Sequence, residues 1–180
     1  MDYQLLIVGG LAQLSLRQEY ENPSPHFLEF EYFFPIEPNA CVTSFKATFA
    51  DQEIVGIVKE KEEAKAEYQA AKEQGRQVAF GEVCAESKDV MRLQIGNVPP
   101  MTRVTILMVC SYPLEASLNT FWRLSVQSHV WPRYLNDPRS KITGSTSAQF
   151  SWTFKLELRA SAKIVSCSSP THRLAEFSRN

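Results

Sequence analysis

The segment Phe150-Ser151-Trp152-Thr153-Phe154-Lys155-Leu156-Glu157-Leu158-Arg159 places an apolar side chain at every second position, with Ser, Thr, Lys, Glu and Arg between them. A period of two is that of an extended strand, so one face of this segment is expected to be core. The same alternation recurs upstream. Leu14 and Leu16 stand against Ser15 and Arg17, and Leu28, Phe30, Tyr32 and Phe34 stand against Glu29 and Glu31. It continues through Cys41, Thr43, Phe45, Ala47 and Phe49, through residues 54–58, and through Met91, Leu93 and Ile95 before the Pro99-Pro100 break. Residues 104–109 are apolar on both faces and rich in β-branched side chains, as expected of a strand covered on both sides.

One segment departs from this pattern. Residues 60–75, from Glu60 to Gly75, are rich in Ala, Glu, Lys and Gln and contain no β-branched residue, which predicts a helix of three to four turns. Ala64, Tyr68 and Ala71 fall on one stripe. Glu60, Glu62 and Glu63 lie near the positive end of the dipole, and Gly75 supplies a left-handed stop. Many short alternating strands and one alanine-rich helix predict a mainly β fold, an antiparallel β-sandwich or distorted barrel of roughly ten strands with one packed α-helix. The stretch 136–149 has turn chemistry and no periodicity, so it is read as a surface loop. That divides the chain into residues 1–135, this loop, and C-terminal strands over 150–180 that complete the same fold.

Composition narrows the function. The 180 residues carry 19 Lys plus Arg against 20 Asp plus Glu, a formal charge of −1, with 44% hydrophobic and 22% charged residues. This is the make-up of one soluble globular domain, and it lacks the clustered positive charge that a nucleic-acid partner requires. No apolar run approaches the length that crosses a bilayer, which gives no expectation of membrane insertion. Asp2 stands where a signal peptide carries Lys or Arg. Cys41, Cys84, Cys110 and Cys167 lie too far apart for a zinc site or redox turn and read as buried small hydrophobes, and Asn22, followed by Pro23, is no glycosylation acceptor. The expected setting is cytoplasmic.

Read in order, these elements resemble a VIT domain, the vault protein inter-alpha-trypsin module found ahead of a von Willebrand factor A domain in several families. The carrying residues are Tyr32-Phe33-Phe34-Pro35, Val42-Thr43-Ser44-Phe45 and Val55-Gly56-Ile57-Val58-Lys59-Glu60-Lys61 leading into Ala64, Tyr68, Ala71 and Gly75. After them come Asp89-Val90-Met91, Ile95-Gly96-Asn97-Val98-Pro99-Pro100, Tyr112 to Ala116 and Trp131-Pro132-Arg133-Tyr134. Ile164 to Ser166 and the turn Ser169-Pro170-Thr171-His172 look like the strand and bridge toward an A domain. Met101 replaces the glycine that often follows the Asn-x-x-Pro element, and the first strand is shortened. The sequence reaches Asn180 where an A domain would be expected to begin, and no Asp-x-Ser-x-Ser signature occurs in it. The resemblance implies a β-rich fold and carries over neither metal-dependent adhesion nor polymerase chemistry.

The expected function is therefore non-enzymatic: a protein interaction or scaffolding module within a multi-subunit assembly, with no cofactor and no metal. Candidate contact residues are Trp131, Arg133, Tyr134, Arg139, Lys141, Ser151 and Thr153, from the loop and the strand it leads to. Trp122, Trp131 and Trp152 are expected in the core, with Trp131 also able to sit at a rim. The catalytic alternative is a small hydrolase or transferase using Cys167 or Ser169 with His172, for which no nucleophile elbow exists. His26 and His129 lie outside any ligand spacing and read as turn or surface residues. Gly9-Gly10 lacks the third glycine of a dinucleotide loop. A third reading, the front half of a longer A-domain protein, predicts an exposed apolar face.

Overall fold

A computed structural model describes residues 2–36, 39–49, 52–83, 90–117, 121–125, 153–160, 163–171 and 173–174. In chain order the elements are β1 (Asp2–Val8), β2 (Leu11–Glu21), β3 (Leu28–Pro35), β4 (Cys41–Phe49), β5 (Gln52–Val55), α1 (Lys61–Glu73), β6 (Val78–Val83) and β7 (Val90–Val98). They are followed by β8 (Arg103–Pro113), β9 (Glu115–Ser117), β10 (Phe121–Arg123) and β11 (Thr153–Arg159). A six-stranded sheet has the order β11-β1-β2-β8-β4-β5, a three-stranded sheet the order β3-β7-β6, and β9 and β10 form a small hairpin.

The two larger sheets face one another as a sandwich. Leu5, Ala12, Leu16 and Met108 of the first meet Phe34 and Leu93 of the second, and beside them Ala47, Phe49, Val104 and Ile106 meet Ile95 and Val98. The alternation read from the sequence fits: Phe34 is buried and Phe30 packs on the second cluster, while Glu29 and Glu31 are exposed. The six-stranded sheet is open at both ends, which excludes the barrel. Its pairings are antiparallel except one, because β11 runs parallel to β1, with Leu5 opposite Leu156. The sheet is thus mainly antiparallel, as expected, with this one parallel pair. A strand reached by a long connection is free to enter in either direction, unlike one joined by a tight turn.

The helix lies on the outer face of the three-stranded sheet. Glu60 is its N-cap, its carboxylate accepting hydrogen bonds from the amides of Glu62 and Glu63 at 3.0 Å each. Those two donors hold the Glu60 carboxyl below the ordinary glutamate range. Tyr68 is 5% exposed, with its ring 5.8 Å from that of Phe80. Gly96 makes the close approach possible, since a Cβ there would lie 3.2 Å from the Tyr68 hydroxyl oxygen. Ion pairs fasten both ends of the helix. Lys72 reaches Glu29 at 2.7 Å and Lys61 reaches Glu82 at 2.8 Å, and Glu82 also pairs with Arg92. Burial opposes charge on Glu82, yet Lys61 and Arg92 outweigh it and lower its pKa. At the far end Gly75 takes φ +73°.

Several expectations are corrected. The predicted strand over residues 54–58 ends at Val55, because the chain then leaves the sheet toward α1 and leaves Ile57 73% and Val58 99% exposed. Strand β8 buries Val104, Ile106, Met108 and Cys110 on one face but only half-buries Leu107 and Val109 on the other. Trp122 is 61% exposed and not core, since its short hairpin lies outside both large sheets. Cys41 begins an element and is exposed, Cys167 is half-buried, and Cys110 alone of the three described cysteines is buried. Burial, with a smaller contribution from Cys41, pushes the Cys110 thiol up to about 11. Ile164 to Ser166 form no strand, and Val165 is exposed.

Candidate functional site

Gly9, at φ +59°, and Gly10 form the turn between β1 and β2, and the Gly9 amide donates to the Arg159 carbonyl at 3.2 Å. With Val8 opposite Arg159 in a parallel ladder, the backbone groups of Thr153, Lys155, Glu157 and Arg159 point at β1. Those of Phe154, Leu156 and Leu158 point away from it. Among the described residues β11 is the edge of the sheet, so these outward groups form an open row. Phe154 is 43% exposed, whereas Leu156 packs against the core.

Thr153, one of the predicted contact residues, begins this edge strand. It is exposed, and its hydroxyl donates to Asp2 Oδ1 at 2.6 Å, pinning the start of β11 to the start of β1. Trp131, Arg133, Tyr134, Arg139, Lys141 and Ser151 lie outside the described residues, as do the whole loop 136–149, Trp152, His129 and Cys84. Of the hydrolytic alternative, Cys167 and Ser169 are half-buried and His172 lies outside the described residues. The Ser169 hydroxyl accepts from the Thr171 amide at 3.4 Å and sits 3.3 Å from the Thr171 hydroxyl, the geometry of a serine turn. Among the described residues no group of three or more His, Cys, Asp or Glu is placed to hold a metal ion, and no helix is long and apolar enough to cross a membrane. His26 is exposed in the turn after β2.

Two further surfaces were not singled out from the sequence. At the opposite edge of the same sheet, Val55, Ile57 and Val58 form an exposed apolar strip. Near the Gly9-Gly10 turn, Val8 and Leu11 are exposed, and the Trp122 ring lies where a Cβ on Gly10 would be 3.7 Å from it. The signal for the first was present, three apolar residues around Gly56 with no charge among them, but it reads equally as a half-buried strand.

The Ile95-Gly96-Asn97-Val98-Pro99-Pro100 element acts as a joint. Asn97, at φ +56°, donates its amide hydrogens to the carbonyls of Lys72 at 2.9 Å and Arg76 at 2.7 Å, closing the end of α1. Asn22, fully buried, donates to the carbonyls of Val98 at 3.1 Å, Pro99 at 2.9 Å and His26 at 2.9 Å, and accepts from the Ser24 amide at 2.9 Å. Its importance was missed, although an Asn-Pro dipeptide marks a turn. Met101 follows in the left-handed region at φ +52° and is 70% exposed. A side chain there is strained. Met101→Gly is therefore expected to raise stability by about 1 kcal/mol, read as a higher urea midpoint; a lower one would mean that the methionine side chain contributes more than its backbone strain removes.

The comparisons with known proteins concern this same framework. Over 112 residues the chain is 37% identical to the human "Protein mono-ADP-ribosyltransferase PARP4", covering 62% of this chain and 6% of that protein. The mouse protein of that name is 34% identical over 114 residues, again 6% of its length. The human "von Willebrand factor A domain-containing protein 5A" is 32% identical over 138 residues, 76% of this chain and 16% of that protein. The chain thus spans a small fraction of the relatives it matches. The family model described as "Vault protein inter-alpha-trypsin domain" matches residues 1–110, from β1 through the joint and most of β8, and the chain belongs to the VIT domain family.

Proposed function

We propose that this chain is a non-enzymatic protein interaction module of a larger assembly, working in a reducing, cytoplasmic setting without a cofactor. The observation that carries the reading is the β11 edge, whose outward backbone groups can accept a partner strand, with Phe154 supplying an exposed apolar contact. Two facts support it. The matched region makes up 6% to 16% of its relatives, as befits a unit reused within longer chains, and the three described cysteines are free thiols. The contact residues Trp131, Arg133, Tyr134, Arg139 and Lys141 belong to the same proposal as the segment leading to this edge.

The test compares partner recovery from the native source by the unaltered chain and by Phe154→Pro, quantified by mass spectrometry. Proline at this position removes an outward amide and the exposed ring while leaving the β1 ladder its donors. Proteins that engage the edge are expected to fall at least tenfold, with an unchanged circular dichroism spectrum. A companion variant replaces residues 137–147 with a short Gly-Ser linker and is expected to weaken recovery as well. Undiminished recovery by both folded variants would remove this end of the sheet from the interface. A second reading, the front module of a longer A-domain protein, is favoured by the exposed Val8, Leu11 and Trp122 around the Gly9-Gly10 turn, an apolar area suited to covering by a neighbouring domain.

A further inference from the structure

The opposite edge of the six-stranded sheet carries a second inference, independent of β11. Strand β5 pairs with β4 on one side, with Ile54 opposite Ala47 and Val55 opposite Lys46, and among the described residues it has no strand on the other. The Gly56 amide donates to the Phe45 carbonyl at 2.8 Å, so the ladder extends one residue beyond the strand proper. Hydrogen-bonded pairs alternate along an antiparallel ladder, so Ile54 and Gly56 direct their backbone groups at β4, and Glu53 and Val55 direct theirs outward.

Beyond its shortness and the flanking Glu53 and Lys59, this edge lacks the usual protections. No proline lies between Pro38 and Pro99, residues 54–58 carry no charge, and Val55, Ile57 and Val58 are 54%, 73% and 99% exposed. The sequence Glu53-Ile54-Val55-Gly56-Ile57-Val58-Lys59 is also complementary to itself when reversed. Laid antiparallel on a second copy about Gly56, it puts Glu53 opposite Lys59 of that copy at both ends, Ile54 opposite Val58, and Val55 opposite Ile57. Only the small glycine meets itself at the centre. This register also sets the outward-facing Val55 of each copy against Ile57 of the other, so that pairing carries the strand on past Gly56. Glu53 is half exposed and bonds Lys46 at 2.9 Å, and Lys59 bonds Glu63 at 3.5 Å and also Glu67, so each charge keeps an intramolecular partner and gains one across the axis.

We propose that this chain self-associates through the Glu53–Lys59 edge, two copies pairing antiparallel about Gly56 into one continuous sheet. A contact of this length buries less than the ~1,200 Å² of a tight complex, so the dimer is expected to form and dissociate with concentration. Sedimentation equilibrium of the full 180-residue chain, from micromolar concentrations to about 1 mM, should show a monomer–dimer equilibrium. Val55→Pro removes an outward amide without touching the β4 ladder and should raise the dissociation constant at least tenfold. Glu53→Lys and Lys59→Glu should each weaken self-association, and mixing these two variants should restore a dimer, because opposite charges then meet at both ends. A monomer throughout the range overturns the proposal, as does a dimer indifferent to folded Val55→Pro or mixed variants that fail to associate better than either alone. The Val55→Pro chain retains the β11 edge, so loss of the dimer and loss of partner recovery are separable results.

Discussion

Replacing Tyr68 with alanine is expected to lower the unfolding free energy by about 3 kcal/mol, the cost of emptying the space between α1 and the three-stranded sheet. The ring is buried on Phe80 and approaches the backbone at Gly96, a glycine with no side chain to move into the gap. The helix has few other apolar anchors. Ala64 and Ala71 are half-buried, and the remaining ties are the Asn97 hydrogen bonds at its end and ion pairs at its rims, such as Lys72 with Glu29, which contribute little where exposed. Glu63→Ala serves as the comparison, since Glu63 lies on the solvent side and its removal should change stability by less than about 0.5 kcal/mol. Urea unfolding followed by circular dichroism separates the two. Equal midpoints would mean that the helix is held by something other than its tyrosine face.

Asn22→Ala should have an effect of similar size, about 3 kcal/mol, because it strips a donor from buried or partly buried carbonyls and an acceptor from the Ser24 amide at once. The side chain closes the end of β2 onto the β7–β8 turn, and the Asn22 amide adds a bond to the Thr102 carbonyl at 2.9 Å. Asn22→Asp makes a sharper test. A carboxylate facing three carbonyl oxygens has no donor to offer, so burial and those oxygens would raise its folded-state pKa above the unfolded value of about 3.9. The folded state then binds the proton more tightly. Stability of this variant should be greatest below that unfolded pKa and decline as pH rises through the folded one, a trend that subtraction of the unaltered chain's pH profile isolates. A flat difference would show that water or a relaxed turn satisfies the carboxylate.

Much of the framework was legible in the residues because short-range physics determines it. Alternating Phe30, Phe34, Leu93 and Ile95 can bury one face only as strands, and the run from Glu60 to Gly75 can hardly be anything but a helix, down to the left-handed glycine, although that Glu60 caps it emerged only from the structure. The motif Ile95-Gly96-Asn97-Val98-Pro99-Pro100 was visible as a pattern, but its purpose was not. Gly96 serves Tyr68, Asn97 serves the end of α1, and Val98 and Pro99 serve Asn22, each across tens of residues. The candidate site was less legible still. Trp122 reads as core by composition, yet its position on a small separate hairpin leaves it in water.

By itself the sequence determined the class of fold, the helix over residues 61–73 and its buried tyrosine, and membership of the VIT family, because each rests on local periodicity or an ordered set of motifs. Only the tertiary structure decided which strands are edges. The alternation in β11 is that of a half-buried strand whether it lies in the middle or at the end of a sheet, and nothing in its residues encodes the parallel pairing with β1. Val55 to Val58 likewise read as part of a half-buried strand, whereas the chain leaves the sheet toward α1 and exposes them. Edge and centre differ in what occupies the far side of the backbone, and that neighbour is chosen by contacts distant in sequence rather than by the strand's own side chains.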